Sequence, residues 1–327
     1  MTVPRAIAAL VTTAALSLLA GCGSPPATPP SPTSPPAPSA STSAHALSQV
    51  TSPQPATSGR TVTAASARPT KVLVIVEENH TASSALRGMP YLASMAKRYG
   101  YTSSRAVAHP SLPNYLALAG GSTFGVTDDR SPASHRIEGP SVFDRAIAAH
   151  RSAKTYAEAM PAPCFLSATD RYAVKHNPWA YFSDPVSRAH CRKFDVPSGT
   201  AARGPLRSDV NAGRLPEVGM LVPDICHDAH DCSLGTADDW LRQWLRVVLA
   251  ARDYRSGRLA IVVTFDEDDT TGSNHVLTTV ISPYTSHVVG SAPYTHYSLT
   301  RYLAEIAGAP PLRAASTAPS LRAAFHI

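Results

Sequence analysis

Lys71-Val72-Leu73-Val74-Ile75-Val76-Glu77-Glu78-Asn79-His80 is the stretch that decides the fold. Its apolar part is continuous and mostly β-branched, the mark of a strand buried on both faces in a parallel sheet. It then breaks into two carboxylates, an amide and an imidazole. Polar groups directly beyond the carboxyl end of a central strand lie where open α/β sheets bind ligands. The pattern recurs twice. Val218–Pro223 runs into Asp224, His227, Asp228, His230 and Asp231, and Leu259–Phe265 runs into Asp266, Glu267, Asp268 and Asp269. Four consecutive acids repel one another unless cations or solvent compensate them.

Working outward, the spacing predicts helices over 90–98 and 142–150, strands over 153–157 and 276–282, and a final helix over 299–307. A long amphipathic helix opens at Thr236, with Ala237, Leu241, Trp244, Leu245 and Val248 on one face. Asp238 and Asp239 fall in its first turn, where acids favour the helix dipole, so they read first as capping groups. Residues 161–215 read as an irregular excursion that could cover the ligand end of the sheet. Within it Lys175-His176-Asn177-Pro178-Trp179 is either a phosphate-holding segment or a solvated loop over a buried Trp179.

His109-Pro110-Ser111-Leu112-Pro113-Asn114-Tyr115 reads as a tight loop running into a helix that Gly120-Gly121 stops. Ser111 there has two readings, a helix cap or a nucleophile aimed at an anion site.

The chain has 327 residues, and 29 Lys and Arg against 23 Asp and Glu give a formal charge of +6. Its arginines are scattered and no nucleic-acid motif is present, so nucleic acid is not an expected partner, and nothing marks a protein partner. Arg5 followed by the apolar run Ala6–Ala20 is too short to span a bilayer comfortably and reads as an export signal. Leu19-Ala20-Gly21-Cys22 resembles a bacterial lipobox, which implies lipidation at Cys22 and a lipoprotein facing outward at the cell membrane, or a secreted protein. Residues 23–69 are Pro, Ser, Thr and Ala with few large apolar side chains, and are expected to form a disordered tether. The expected division is therefore 1–22 signal peptide, 23–69 linker and 70–327 catalytic domain. Four further cysteines in an oxidising compartment allow three pairings, of which proximity favours Cys164–Cys191 and Cys226–Cys232. A zinc site competes, but no CxxC spacing is present.

Three strand ends thus deliver Glu78/Asn79, Asp228/His230 and Asp266/Glu267 to one sheet edge beside Ser111. Oxygen ligands with a histidine or two suit a divalent cation. A hydroxyl beside such an ion can attack phosphorus, with His230 or His296 protonating the leaving oxygen.

These motifs, together with His296-Tyr297-Ser298, resemble in order and type the bacterial phosphoesterase family of secreted acid phosphatases and phospholipases C, above all its SapM-type secreted acid phosphatases. The resemblance spans about residues 70–308. It implies an alkaline-phosphatase-like, three-layer α/β/α sandwich with a mostly parallel central sheet. It implies Ser111 as the phosphorylated nucleophile, Asn114 on the phosphoryl oxygens, and Glu78, Asn79, Asp266 and Glu267 as metal ligands. His230 and His296 match histidines that contact phosphate or assist the leaving group, and Lys175 and His176 an element that shapes the phosphate pocket. His109 and Asp228 complete the expected substrate-binding set. One departure stands out. The two-zinc relatives carry an Asp-His pair where this chain has Asp266-Glu267, which points to one divalent metal of unassigned identity.

The expected activity is hydrolysis of phosphate monoesters through a phosphoserine. A phospholipase C or phosphodiesterase acting on phospholipid headgroups, phosphoinositides included, is the alternative. A sulfatase is disfavoured, since Tyr115 stands where the Cys/Ser-x-Pro-x-Arg signature needs arginine. A non-catalytic lipoprotein with a structural cation is the third reading.

Overall fold

The computed structural model describes residues 68–327, so the signal peptide, Cys22 and the linker up to residue 67 lie outside the described residues. In chain order the elements begin with β1 (Lys71–Glu77), α1 (Ala82–Gly88), α2 (Pro90–Arg98), β2 (Gly100–Arg105) and α3 (Ser111–Gly120). Next come α4 (Val142–Ala148), β3 (Ala153–Ala157), α5 (Pro185–Phe194), β4 (Asp195–Pro197) and α6 (Pro205–Asn211). β5 (Val218–Val222), α7 (Leu234–Leu249), α8 (Arg252–Arg255) and β6 (Leu259–Phe265) follow. The chain closes with β7 (His275–Ile281), β8 (Val288–Gly290), α9 (His296–Ala307) and α10 (Leu321–Phe325).

The strands form one sheet in the order β4-β3-β5-β1-β6-β7-β2-β8. Every neighbouring pair is parallel except the two that β7 makes, with β6 and with β2. Side-chain alternation along β1 explains the three layers. Val72, Val74 and Val76 pack with α3, α4 and α9 on one face, while Leu73 and Ile75 pack with α2, α6 and α7 on the other. The same period carries past the strand end. Glu78 continues the face of α3, whereas Glu77 points to the face of α7, where Asp238 lies near enough to raise its carboxyl further after burial has done most of the work. β5, β1 and β6 are adjacent, so their three polar strand ends meet at one edge. Among the described residues no helix is long and apolar enough to cross a membrane.

Three local readings are corrected. α7 starts at Leu234 with Ser233 as its cap, so Asp238 lies inside the helix. Its carboxylate instead accepts the backbone N–H groups of Tyr91 (2.8 Å) and Leu92 (2.9 Å), capping α2 from across the interface. The stretch 161–215 is not irregular: it contains α5, α6 and edge strand β4. Each helix opens on a proline at its first position, Pro185 after the capping Asp184 and Pro205 after Gly204, where a missing N–H costs nothing. Finally, α9 begins at His296 rather than near residue 299, with Thr295 and Ser298 forming a reciprocal cap.

Both favoured disulfides are present, Cys164–Cys191 and Cys226–Cys232. The first closes a loop with a sequence separation of 27, which by chain entropy stabilises by about 3.5 kcal/mol. It ties α5 under the excursion and beside Asp195, which is fully buried. Asp195 accepts from Thr155 Oγ1 at 2.7 Å and Asn177 Nδ2 at 2.8 Å, yet burial pushes its carboxyl up to about 7. The native state therefore holds a proton that the unfolded chain releases near pH 4. Stability is full below that pH and is lost as pH rises through about 7. Asp195→Asn keeps both bonds by turning its N–H toward the Thr155 hydroxyl. We expect it to match wild type at pH 3 and to gain up to about 4 kcal/mol at pH 8, read as melting temperature against pH. Parallel curves for the two proteins would refute the assignment.

Candidate active site

Ser111 is the first residue of α3, and its hydroxyl caps nothing: the N-cap position belongs to Pro110 and carries no side-chain cap bond. The buried hydroxyl instead donates to Glu78 Oε2 at 3.1 Å and lies 3.4 Å from Glu267 Oε1. Glu78 comes from β1, Glu267 from the end of β6, and both are held by neighbours. Tyr115, one turn along α3 from Ser111, donates its hydroxyl to Glu78 Oε1 at 2.6 Å. The Glu78 amide donates to the Asp228 carbonyl at 2.8 Å, joining the β1 and β5 ends. The Asn79 amide donates to Asp266 Oδ1 at 3.2 Å, joining β1 to β6.

The four acids after β6 separate by environment. Asp266 and Glu267 turn inward. Asp268 accepts the backbone amides of Thr270, Gly272 and Asn274 at 2.7–2.8 Å and so organises the following turn. Asp269 stays exposed against Thr271. Burial, then Asp266 and Asp129, pushes Glu267 up to about 9, and burial pushes Asp266 up to about 6. Glu78 is raised by burial first and then by Asp266 and Asp228.

These carboxylates want a cation. No lysine or arginine lies within ion-pair distance of Glu78, Asp266 or Glu267 among the described residues; only His176 and His109 do. Asn79 Oδ1 and Asp266 Oδ2 are buried with no hydrogen-bond partner. Glu78, Asn79, Asp266 and Glu267 offer hard oxygen donors of the kind a divalent ion takes, although among the described residues their carboxylates do not gather as one set of mutually close ligand atoms. A second donor set shares Glu78: ligand atoms of Glu78, His176 and His230 lie within 4.8 Å of one another. His176 is fully buried under Tyr115, ring centroids 5.1 Å apart. Its nitrogens approach Asp228 Oδ2 (3.1 Å) and Glu78 Oε1 (3.3 Å) without hydrogen-bond alignment. Burial, then Lys175 and His230, lowers its pKa well below the usual imidazole range.

A third cluster, Glu158, Asp224 and His227, is already satisfied. Arg171 lies 2.7 Å from Asp224, while His227 Nδ1 and Trp240 Nε1 reach Glu158 at 2.9 and 3.1 Å. With Cys226–Cys232 it braces the loop that carries Asp228 and His230. Burial pushes Asp228 up to about 7, and its Oδ1 accepts the His230 amide at 2.8 Å.

Other expected site residues take different posts. Asn114 accepts the amides of Val107 and Ala108 at 3.0 Å and donates to Ala108 and Pro110 carbonyls, so it mostly holds the loop before Ser111; one N–H also reaches Glu267 at 3.3 Å. His296 is buried with Nε2 against the Asp266 carbonyl, and burial pushes its pKa down to about 4. It is a neutral brace for the Asp266 main chain. His109 bridges Glu267 (2.8 Å) and Asp268 (3.3 Å) at the mouth. Lys175 reaches in from the excursion, 3.0 Å from Asp129 and 3.4 Å from His230.

Asp129 is the residue that sequence reading missed. It accepts the Leu112 amide at 2.9 Å and pairs with Lys175, linking the α3 N-terminus to the lysine. An Asp in a loop, 17 residues from its partner amide, leaves no periodic signal.

The sequence profile of the Phosphoesterase family matches residues 83–310. A phosphatidylinositol-3-phosphatase of Mycobacterium tuberculosis is 30% identical over 265 residues, covering 79% of this chain and 84% of its own. A phosphate-repressible acid phosphatase of Penicillium chrysogenum is 30% identical over 63% of this chain. An acid phosphatase of Aspergillus fumigatus is 28% identical over 64%. The matched region spans about half of each fungal protein (51% and 48%). Among solved structures, an alkaline phosphatase superfamily protein from Vibrio parahaemolyticus superposes with a TM-score of 0.51 at 11% identity, over 77% of this chain and 71% of its own. A 2-O GAG sulfatase gives 0.53 at 13% identity, over 79% and 74%. That likeness is one of fold, and the fold is the alkaline-phosphatase-like sandwich expected from the sequence.

Proposed function

The chain belongs to the phosphoesterase family and is a phosphoric ester hydrolase, and on that premise we propose that it is an exported acid phosphatase working through a phosphoserine at Ser111. One observation carries the reading: a buried serine hydroxyl at a helix start, 3.1 and 3.4 Å from carboxylates delivered by two different strands.

Ser111 Oγ attacks phosphorus, its proton passing toward the Glu78 and Glu267 carboxylates, and the ester oxygen leaves with a proton from His230. Water then attacks the phosphoserine and gives a proton to His230, while the Ser111 oxygen leaves phosphorus with the proton held by the carboxylates, releasing inorganic phosphate and restoring the free enzyme. A divalent cation held by Glu78, Asn79, Asp266 and Glu267 would lower the pKa of Ser111 and offset phosphoryl charge. Lys175 faces the transferring group as a point charge, aimed by Asp129. His230 is preferred to His296 as proton donor because it is partly exposed, whereas His296 is buried with its Nε2 against a carbonyl.

Cys22, if lipidated, tethers residues 70–327 to a membrane outer face, where phosphorylated lipid headgroups are in reach. Similarity to a phosphatidylinositol-3-phosphatase supports a monoester on such a headgroup as substrate. The direct test is to quench turnover of an aryl phosphate in acid and map covalent phosphate by mass spectrometry. Phosphate on Ser111 is expected; turnover without any phosphorylated peptide, with a substrate made chiral at phosphorus by isotopic labelling showing inversion, would defeat the reading. Release of free phosphate rather than phosphorylated headgroup from a phosphoinositide separates phosphatase from phospholipase C.

A further inference from the structure

A depression of about 680 Å³ leaves the site past His109, walled by Ala106–Ala108, Asn274, Tyr297 and Arg105. Its inner end lies at the imidazole that touches Glu267, itself 3.4 Å from Ser111. A leaving group departing from a phosphoryl at Ser111 has this depression beside it. Near His109 lie the short apolar side chains of Ala106 and Ala108, and the Asp268 carboxylate there is spent on three backbone amides and His109. Arg105 belongs to the same lining.

Six of the described arginines are tied to carboxylates, and Arg105 is not one of them. Arg130, Arg151, Arg171, Arg242, Arg258 and Arg301 each have a carboxylate partner. Among the described residues the Arg105 guanidinium has neither an ion pair nor a side-chain hydrogen bond, although its backbone is fixed. It closes β2 opposite His275 of β7, and its amide donates to the Tyr294 carbonyl at 2.8 Å. A positive group anchored at its Cα, exposed and unpaired, is a ready partner for an anion. Four residues separate it from His109, at most about 14 Å of extended chain, the reach of a small organic leaving group.

We propose that Arg105 is a specificity-determining residue that selects leaving groups bearing a second anionic group, a phosphate or carboxylate, held within this depression. The assignment rests on the phosphoesterase reading of the Ser111 site. The test uses the bisphosphates of propane-, butane- and hexanediol, each against the matching monoalkyl phosphate, with phenyl phosphate as reference. Two equivalent ends give any bisphosphate a statistical factor of two. Wild type is expected to favour at least one bisphosphate by about tenfold in kcat/KM, mainly through KM. Arg105→Gln should bring that ratio down to the statistical value, and Arg105→Lys should keep part of it. Arg246→Gln, removing an arginine on α7 away from the depression, should keep the wild-type ratio and so exclude a general charge effect. No preference in wild type, or a preference that survives Arg105→Gln, overturns the proposal while leaving the Ser111 reading intact. Failure of wild type to hydrolyse phenyl phosphate at all would overturn both.

Discussion

Ser111→Ala is expected to lower kcat/KM on phenyl phosphate by at least three orders of magnitude, as loss of a covalent nucleophile does, with the melting temperature unchanged. The two halves of that expectation separate the readings of Ser111. Loss of a capping hydroxyl costs about 1 kcal/mol, or roughly 2–4 °C in a domain of this size. Here the hydroxyl accepts no backbone amide, and the Leu112 amide that a cap would serve is already bound to Asp129. Alanine therefore removes only the group facing Glu78 and Glu267. Hydrolysis rates give one readout and calorimetry the other. A variant with near-wild-type turnover would end the nucleophile assignment, and one that lost stability without losing turnover would return Ser111 to a structural role.

The second large effect is on the donor set around Ser111. Dialysis against a strong chelator is expected to reduce activity by two orders of magnitude or more, and a divalent cation should restore it. Glu78, Asp266 and Glu267 are carboxylates buried together with their pKa values raised, by burial before anything else. A cation relieves both the desolvation cost and their mutual repulsion. Re-addition should also raise the melting temperature, through a stabilisation that grows with the logarithm of the cation concentration and reaches about 2.7 kcal/mol at a hundredfold excess over Kd. Asp266→Asn should weaken that thermal shift, a readout independent of turnover. Full activity in protein shown metal-free by elemental analysis would contradict the assignment.

How much of this was written locally can be judged from particular residues. The strands were legible because β1, β5 and β6 are buried on both faces, so their sequences are continuous apolar runs. The disulfides were legible because short loops close most readily. α5 and α6 were not, since arginines, prolines and histidines hide a helix whose apolar side is narrow. Asp238 showed the limit of local rules: it lies in the first turns of one helix and caps another, 146 positions away from Leu92.

The sequence by itself determined the α/β class, the three polar strand ends and the residue types gathered there, because backbone periodicity and burial are properties of consecutive residues. Side-chain alternation even assigns Glu78 to the face of α3 and Glu77 to that of α7. Only the tertiary structure decided which polar atoms are spent and which are free. Asn114 braces a loop, His296 holds a carbonyl, Asp129 joins Leu112 to Lys175, and Arg105 stands unpaired in the lining of a depression. Each outcome depends on which donor and acceptor packing brings within about 3 Å, and strand and helix periods carry no record of those partners.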